Sequence, residues 1–280
     1  MYMEVVKAAE LGFCTGVRRA IQMLERAASQ RGPLLTLGPV VHNQRVMEEL
    51  ARLGIRAVDN VEQLEEGTVA ISSHGVSPGV MGQMEARGFN IVDTTCPFVR
   101  RAQIAAKRLH SAGFYVIVFG DQSHPEVQGV LGWANNEGMA TIKPPPFERP
   151  PQRIGILSQT TQSLSSFAHF VDLFVNAHIA QVSELRIINT ICDATRRRQE
   201  AALELARKVD LMLVVGSHIS ANTRRLTEIC STVVETHLID AARNIHPGWL
   251  SNKQRVGITA GASTPDDSIE EVVAILATVK

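Results

Sequence analysis

The sequence has no excess charge of either sign: Lys and Arg number 28, and Asp and Glu number 28. No global field therefore favours nucleic acid or a membrane surface, and neither is expected as a partner. No apolar run approaches the roughly 20 residues that a membrane span needs. The opening stretch, MYMEVVKAAELGFC, carries acidic residues and no long apolar core, so it does not read as a secretory leader. The expected location is cytoplasmic, where thiols stay reduced and recurring cysteines point to metal or catalysis rather than disulfides. The cysteines include no CxxC pair, which argues against a zinc ribbon. Neither GxxxxGK[ST] nor GxGxxG occurs, so the common nucleotide cradles are not indicated.

What is present is a threefold internal repeat. Cys14 stands in GFCTGVRRAI, Cys96 in TTCPFVRRAQ and Cys192 in TICDATRRRQ. An Arg pair begins four residues after each: Arg18-Arg19, Arg100-Arg101 and Arg196-Arg197. Gly38, Gly120 and Gly216 each follow their cysteine by 24 positions, at the end of an apolar run. Around these markers, short apolar strands alternate with segments of helical spacing. The reading places strands at the N-terminus (Met3 to Ala8), before each repeat glycine, before the polar segments at 72–78, 158–163 and 260–265, and ahead of Cys96 and Cys192. Such alternation predicts an α/β protein with mostly parallel sheets. The repeat sets module one at 14–96, module two at 97–192, and module three at 193–280 plus 1–13. The last assignment follows because the third repeat lacks a final strand, whereas the N-terminal strand has no place in the first.

The polar residues cluster where such sheets bind ligands, beyond the carboxyl ends of strands. The fourth residue after each repeat glycine is His42, His124 or Ser220; the later strand of each module leads to His74, Thr160 or Ser263. Three thiols from three modules suit an iron–sulfur cluster, which usually takes four. Three ligands leave one iron open, able to act as a Lewis acid on a substrate oxygen. Cys230, outside the repeat in RRLTEICS, reads as a packing residue. His42, His74, His124, Ser220, Asn222 and Ser263 are donors that, with helix N-termini, suit a small phosphorylated ligand. Glu126, two residues after His124, is the candidate proton relay. A structural zinc protein without catalysis, and a non-redox hydratase or binding module for another phosphorylated ligand, are the competing readings.

Taken together, GFCTGVRRAI, GPVVHNQ, SSHGVSP, DTTCPFV, HPEVQGVLG, SQTTQS, TICDATRRRQ, VVGS with Asn222, and TAGASTPD resemble the 4-hydroxy-3-methylbut-2-enyl diphosphate reductase family of the non-mevalonate isoprenoid pathway. The resemblance runs from residue 12 to about 267. It implies a trefoil of three α/β modules around a 4Fe-4S cluster, held by Cys14, Cys96 and Cys192 with one iron open to the substrate hydroxyl. Reduction by ferredoxin or flavodoxin would remove that hydroxyl as water, giving isopentenyl and dimethylallyl diphosphate. His42, His74, Ser220, Asn222 and Ser263 would clamp the diphosphate. Glu126, with Thr160 and His124, would deliver protons, and Thr195 occupies another pocket position. One departure stands in the third module. The family reads Asn-Ser-Ser-Asn-Ser, where this chain has Ile219-Ser220-Ala221-Asn222-Thr223. Ala221 therefore brings a backbone N–H to the diphosphate in place of a hydroxyl.

Overall fold

A computed structural model of the chain describes residues 3–65 and 67–278. Its elements begin with β1 (Glu4–Lys7), α1 (Thr15–Arg31), β2 (Leu34–Leu37), α2 (Gln44–Arg52), β3 (Ile55–Val58), β4 (Thr68–Ile71), α3 (Pro78–Ala86) and β5 (Asn90–Asp93). They continue with α4 (Pro97–Ser111), β6 (Tyr115–Phe119), α5 (Pro125–Trp133), β7 (Gly138–Thr141), β8 (Arg153–Ser158), α6 (Leu164–His178) and β9 (Glu184–Ile188). The last are α7 (Asp193–Ala206), β10 (Leu211–Val215), α8 (Ala221–Ser231), β11 (Thr236–Ile239), α9 (Pro247–Leu250), β12 (Arg255–Ala260) and α10 (Asp266–Thr278). Residues 1, 2, 279 and 280, which the sequence reading assigned to the third module, lie outside the described residues.

The strands make three four-stranded sheets, ordered β1-β12-β10-β11, β3-β2-β4-β5 and β7-β6-β8-β9, with every described pairing parallel. The central strand β10, LMLVV, is apolar throughout because helices cover both faces of a parallel sheet. β1 runs beside β12, with Glu4 opposite Arg255 and Lys7 opposite Ile258. The N-terminal strand thus completes the sheet of the C-terminal repeat.

The outer strands β3, β7 and β11 have no counterpart in the sequence reading. Each is four residues long, and IRAV, GMAT and THLI lack the unbroken apolar run that marks the inner strands. They close the repeat pattern in backbone hydrogen bonds. The N–H groups of Gly38, Gly120 and Gly216 donate to the last residues of β3, β7 and β11, at 2.8, 3.2 and 2.8 Å.

The described residues gather into two compact units. One contains the chain through Arg18, Val41–Glu49 and the chain from Asp193 onward; the other contains Arg19–Val40 and Leu50–Cys192. The first carries the sheet with β1 and β12. Its core joins Leu211, Leu213, Val215, Val256 and Ile258 to Ile269, Val272 and Leu276 of α10. The second carries the other two sheets. Three fully or nearly buried phenylalanines of α6, Phe167, Phe170 and Phe174, pack on Ile117, Phe119, Ile154 and Ile156 there.

Candidate active site

Each repeat cysteine sits immediately before a helix: Cys14 before α1, Cys96 before α4 and Cys192 before α7. Their backbone N–H groups are held alike. Cys14 donates to Ala262 O at 3.2 Å, Cys96 to Ser73 O at 3.0 Å and Cys192 to Thr160 O at 3.1 Å. Each acceptor lies two residues beyond the end of β12, β4 or β8, so the repeat fixes each cysteine against the same point of its own sheet. None of the three is in a disulfide, and each is half-buried. The Val17 N–H donates to Cys14 Sγ at 3.4 Å across the first turn of α1. Cys230 differs: it is fully buried between α7 and α8, and burial pushes its thiol up to about 12. It is a core residue.

In the second unit a hydrogen-bonded group assembles around Glu126, which is 2% exposed in the first turn of α5. Its Oε1 accepts the Thr160 N–H at 2.6 Å and its Oε2 accepts the Thr160 hydroxyl at 2.8 Å. Burial raises its carboxyl from 4.5 to about 7, against the opposing pull of both Thr160 bonds. His124 caps α5: its Nδ1 accepts the Glu126 N–H at 3.2 Å. An accepting Nδ1 leaves the ring proton of the neutral imidazole on Nε2. The His74 ring stands edge-on to His124, with centroids 5.3 Å apart and planes at 88°.

Small residues bring these two histidines together. α5 lies against the loop that follows β4, where a Cβ on Gly132 would fall 2.2 Å from the Ser77 side chain. Trp133 Nε1 donates to Val76 O at 3.0 Å and fixes that approach. The glycines of HPEVQGVLG thus serve close packing. Gln159, which the sequence reading passed over, is 1% exposed, and its Oε1 accepts the Asp121 N–H at 3.1 Å. It holds the loop before His124, and its place between β8 and Thr160 was the available signal.

In the first unit the loops after β10 and β12 carry the remaining donors. Ser220 caps α8, accepting the Thr223 N–H at 3.4 Å, and Ala221 is the first residue of that helix. Asn222 is 4% exposed, and neither its side-chain oxygen nor its nitrogen has a hydrogen-bond partner among the described residues; the same holds for the Ser263 and Thr223 hydroxyls. Buried polar atoms without partners are costly, and such a cluster marks a place for a polar ligand. Thr223 was not singled out from sequence, although it follows Asn222 directly. Thr195 is buried in the first turn of α7. His42 is half-buried; burial, then the neighbouring Arg224 cation, hold its imidazole below the ordinary histidine range. Its position is not equivalent to the other two at the fourth residue after glycine. Asn43 caps α2 by accepting the Val46 N–H at 3.2 Å, so His42 precedes the cap that His124 and Ser220 themselves provide.

The Arg pairs divide. Arg18 meets Asp266 at 3.1 Å, Arg100 pairs with Asp93, and Arg196 meets Glu200 at 2.9 Å. These are ordinary partly exposed ion pairs of small energetic weight.

A threefold-repeated α/β protein with a cysteine at each of three helix starts, a buried carboxyl raised toward neutrality and buried polar atoms without partners among the described residues belongs to the class of small-molecule redox enzymes. Residues 5–277 match the family described as LytB protein, and the chain belongs to that family. It is 50% identical over 277 residues to a 4-hydroxy-3-methylbut-2-enyl diphosphate reductase of Dehalococcoides mccartyi (strain CBDB1), covering 98% of each chain. It is 41% identical over 274 residues to the enzyme of the same name in Geotalea uraniireducens (strain Rf4), covering 97% of this chain and 96% of that one. A solved structure of (E)-4-hydroxy-3-methyl-but-2-enyl diphosphate reductase, the terminal enzyme of the non-mevalonate pathway, aligns with TM-score 0.71 at 35% identity, covering 99% of this chain and 100% of that one. The Plasmodium falciparum E-1-hydroxy-2-methyl-but-2-enyl-4-diphosphate reductase shares the fold with TM-score 0.92 at 24% identity, covering 98% of this chain and 88% of that chain. None of these relatives lends support to a non-redox hydratase or a binding module.

Proposed function

We propose that the chain is a 4-hydroxy-3-methylbut-2-enyl diphosphate reductase that removes the allylic hydroxyl as water to give isopentenyl and dimethylallyl diphosphate. The observation that carries the reading is the buried pair Glu126–Thr160, joined to full-length identity with enzymes of that name. A purely structural zinc protein has no use for a buried carboxyl poised near neutrality.

Cys14, Cys96 and Cys192 are the ligands proposed for a 4Fe-4S cluster with one open iron. The fit rests on the donor set: three cysteines outside any disulfide, each at a helix start and each held by the same backbone bond to its own sheet. When bound, the cluster supplies electrons and a Lewis-acidic iron.

The chain's own residues do the rest. Glu126, which burial keeps about half protonated at neutral pH, gives its proton to the leaving hydroxyl, and the Thr160 hydroxyl bonded to Oε2 orients the carboxyl. His124, with its proton on Nε2, donates from a fixed ring, and His74 stands against it. His42, His74, Ser220, the Ala221 N–H, Asn222 and Ser263 bind the diphosphate, and Thr195 completes the pocket. The otherwise unpartnered Asn222 and Ser263 support that role. Replacing the C–OH bond by C–H with release of water takes two electrons and two protons, one on the departing hydroxyl and one on an allylic carbon, so a carrier, ferredoxin or flavodoxin, must deliver the electrons. The proposed module boundaries remain 14–96, 97–192 and 193–280 with 1–13, and the proposed location is cytoplasmic. Among the described residues no helix is long and apolar enough to cross a membrane.

The test is anaerobic purification followed by turnover of the hydroxylated allylic diphosphate with reduced methyl viologen. A brown protein containing iron and sulfide, with turnover, is the expected outcome. A colourless chain holding one zinc and no sulfide after reconstitution would sink the reading.

A further inference from the structure

The proposed reduction needs electrons from outside the chain, which must enter close to the repeat cysteines. The second unit contains a groove of about 590 Å³ running along α4. Arg100, Arg101, Arg108 and Arg186 line it, with Ile104 and Ile188 between them, and no carboxylate does. Ile104 is 39% exposed and gives the groove an apolar contact among the arginines. Arg186 shares Glu184 with Arg153, and Arg100 pairs with Asp93, whereas Arg101 and Arg108 have no carboxylate in salt-bridge range among the described residues. Arg101 lies over the Phe98 ring at 5.7 Å, which sets its guanidinium at the surface. The whole chain has no net charge, so this concentration of cations is local.

The position of the groove matters as much as its charge. It starts at Pro97, the residue after Cys96, and reaches Ile188 at the end of β9, four residues before Cys192. At about 1.5 Å rise per residue, Arg101 is only about 7.5 Å along the helix from Cys96. Two of the three proposed cluster ligands therefore stand at the ends of the elements that form the groove.

We infer that this arginine-lined groove on α4 and β9 is the docking surface for an acidic electron-carrier protein. Charge complementarity identifies the occupant. A carrier with a carboxylate-rich face meets four arginines and an apolar contact at Ile104, the pattern that steers a transient electrostatic encounter. This assignment rests on the reductase reading, since only a chain that consumes electrons needs such a surface.

The experiment uses the cluster-loaded full chain and compares two electron sources, a reduced acidic ferredoxin and methyl viologen. In Arg101→Glu/Arg108→Glu, kcat/KM for the ferredoxin should fall about tenfold or more at low ionic strength, mainly through KM, because two favourable charges become repulsive. Turnover with the small dye should stay unchanged, and the wild-type advantage with ferredoxin should shrink as salt is added. Arg243→Glu, an exposed reversal in the other unit, should have no effect. Ferredoxin turnover equal to wild type at every salt concentration would overturn the assignment, as would loss of binding to anionic vesicles with carrier turnover intact. If the double reversal folds poorly, Arg101→Gln/Arg108→Gln reads the same surface through a shallower salt dependence. Calorimetric binding of oxidised ferredoxin tests docking separately from catalysis. Wild-type chain inactive with the dye would fail the reductase reading, whereas dye turnover without groove-dependent ferredoxin binding would fail only this one.

Discussion

Glu126 carries the most specific chemistry because two effects oppose each other on one carboxyl. The Thr160 N–H and hydroxyl both favour the charged form, yet burial outweighs them and the proton stays on to about pH 7. A proton donor of this kind works below its pKa, so turnover should fall as pH rises through about 7. Glu126→Gln should lower kcat by about 10²–10⁴-fold while iron and sulfide content stay intact. Stability follows the same proton. The folded pKa lies above the unfolded one, so the stabilising contribution is complete below about 4.5 and is lost as pH rises through about 7. Melting temperatures measured across that window should fall less steeply in Glu126→Gln than in wild type. In Thr160→Val the N–H bond remains and the hydroxyl bond is gone. The alkaline limb of the pH–rate profile should then move upward, because one of the two bonds favouring the carboxylate has been removed.

At the scale of elements, the repeat explains why similar sequence markers do different structural work. Gly216 needs glycine for its backbone: φ is +146°, and a Cβ there would fall 2.6 Å from Thr264 Oγ1. Gly120 needs it for space, since a Cβ would meet Gln159 at 2.8 Å. Gly216→Ala should destabilise the chain by about 1–3 kcal/mol, seen as a lower denaturation midpoint. The cysteines separate in the same way. Cys96→Ser should abolish cluster retention, because Cys96 is a proposed ligand. Cys230→Ser should leave metal content unchanged while costing about 1–3 kcal/mol, since a hydroxyl replaces a thiol in an apolar core. Inner strands and helix starts were legible because apolar runs such as YVIVF and the cysteine–arginine spacing are local signals. β3, β7 and β11 were not legible. They are strands because an edge is available beside β2, β6 and β10, which is a tertiary cause. Candidate residues could be named from their places at strand ends and helix starts, but their bonding partners could not. Nothing local announces that Thr160 bonds Glu126 across 34 positions, or that Asn43 rather than His42 caps α2.

For the molecule as a whole, folding stability and ligand binding draw on the same unpaired atoms. The Asn222 amide, buried with neither end satisfied, lowers the stability of the ligand-free chain. A leucine of similar size removes that penalty without opening a cavity. Asn222→Leu should therefore raise the melting temperature of the ligand-free protein, in free energy by about 1–3 kcal/mol. The diphosphate proposed to meet Asn222 should have the opposite dependence. A ligand that binds only the folded chain stabilises it by about 2.7 kcal/mol at a hundredfold excess over its Kd. Inorganic pyrophosphate should thus raise the wild-type melting temperature, with a much smaller rise in Asn222→Leu and in Ser263→Ala. Cys230→Ser, about 12 Å further along α8 from Asn222 and packed in the core against α7, should keep the full pyrophosphate shift from its lower baseline. Equal pyrophosphate shifts in wild type and Asn222→Leu would separate the unpaired amide from anion binding. The higher baseline in Asn222→Leu would still mark the amide as a group whose burial opposes folding, so the two measurements test its structural cost and its binding role independently.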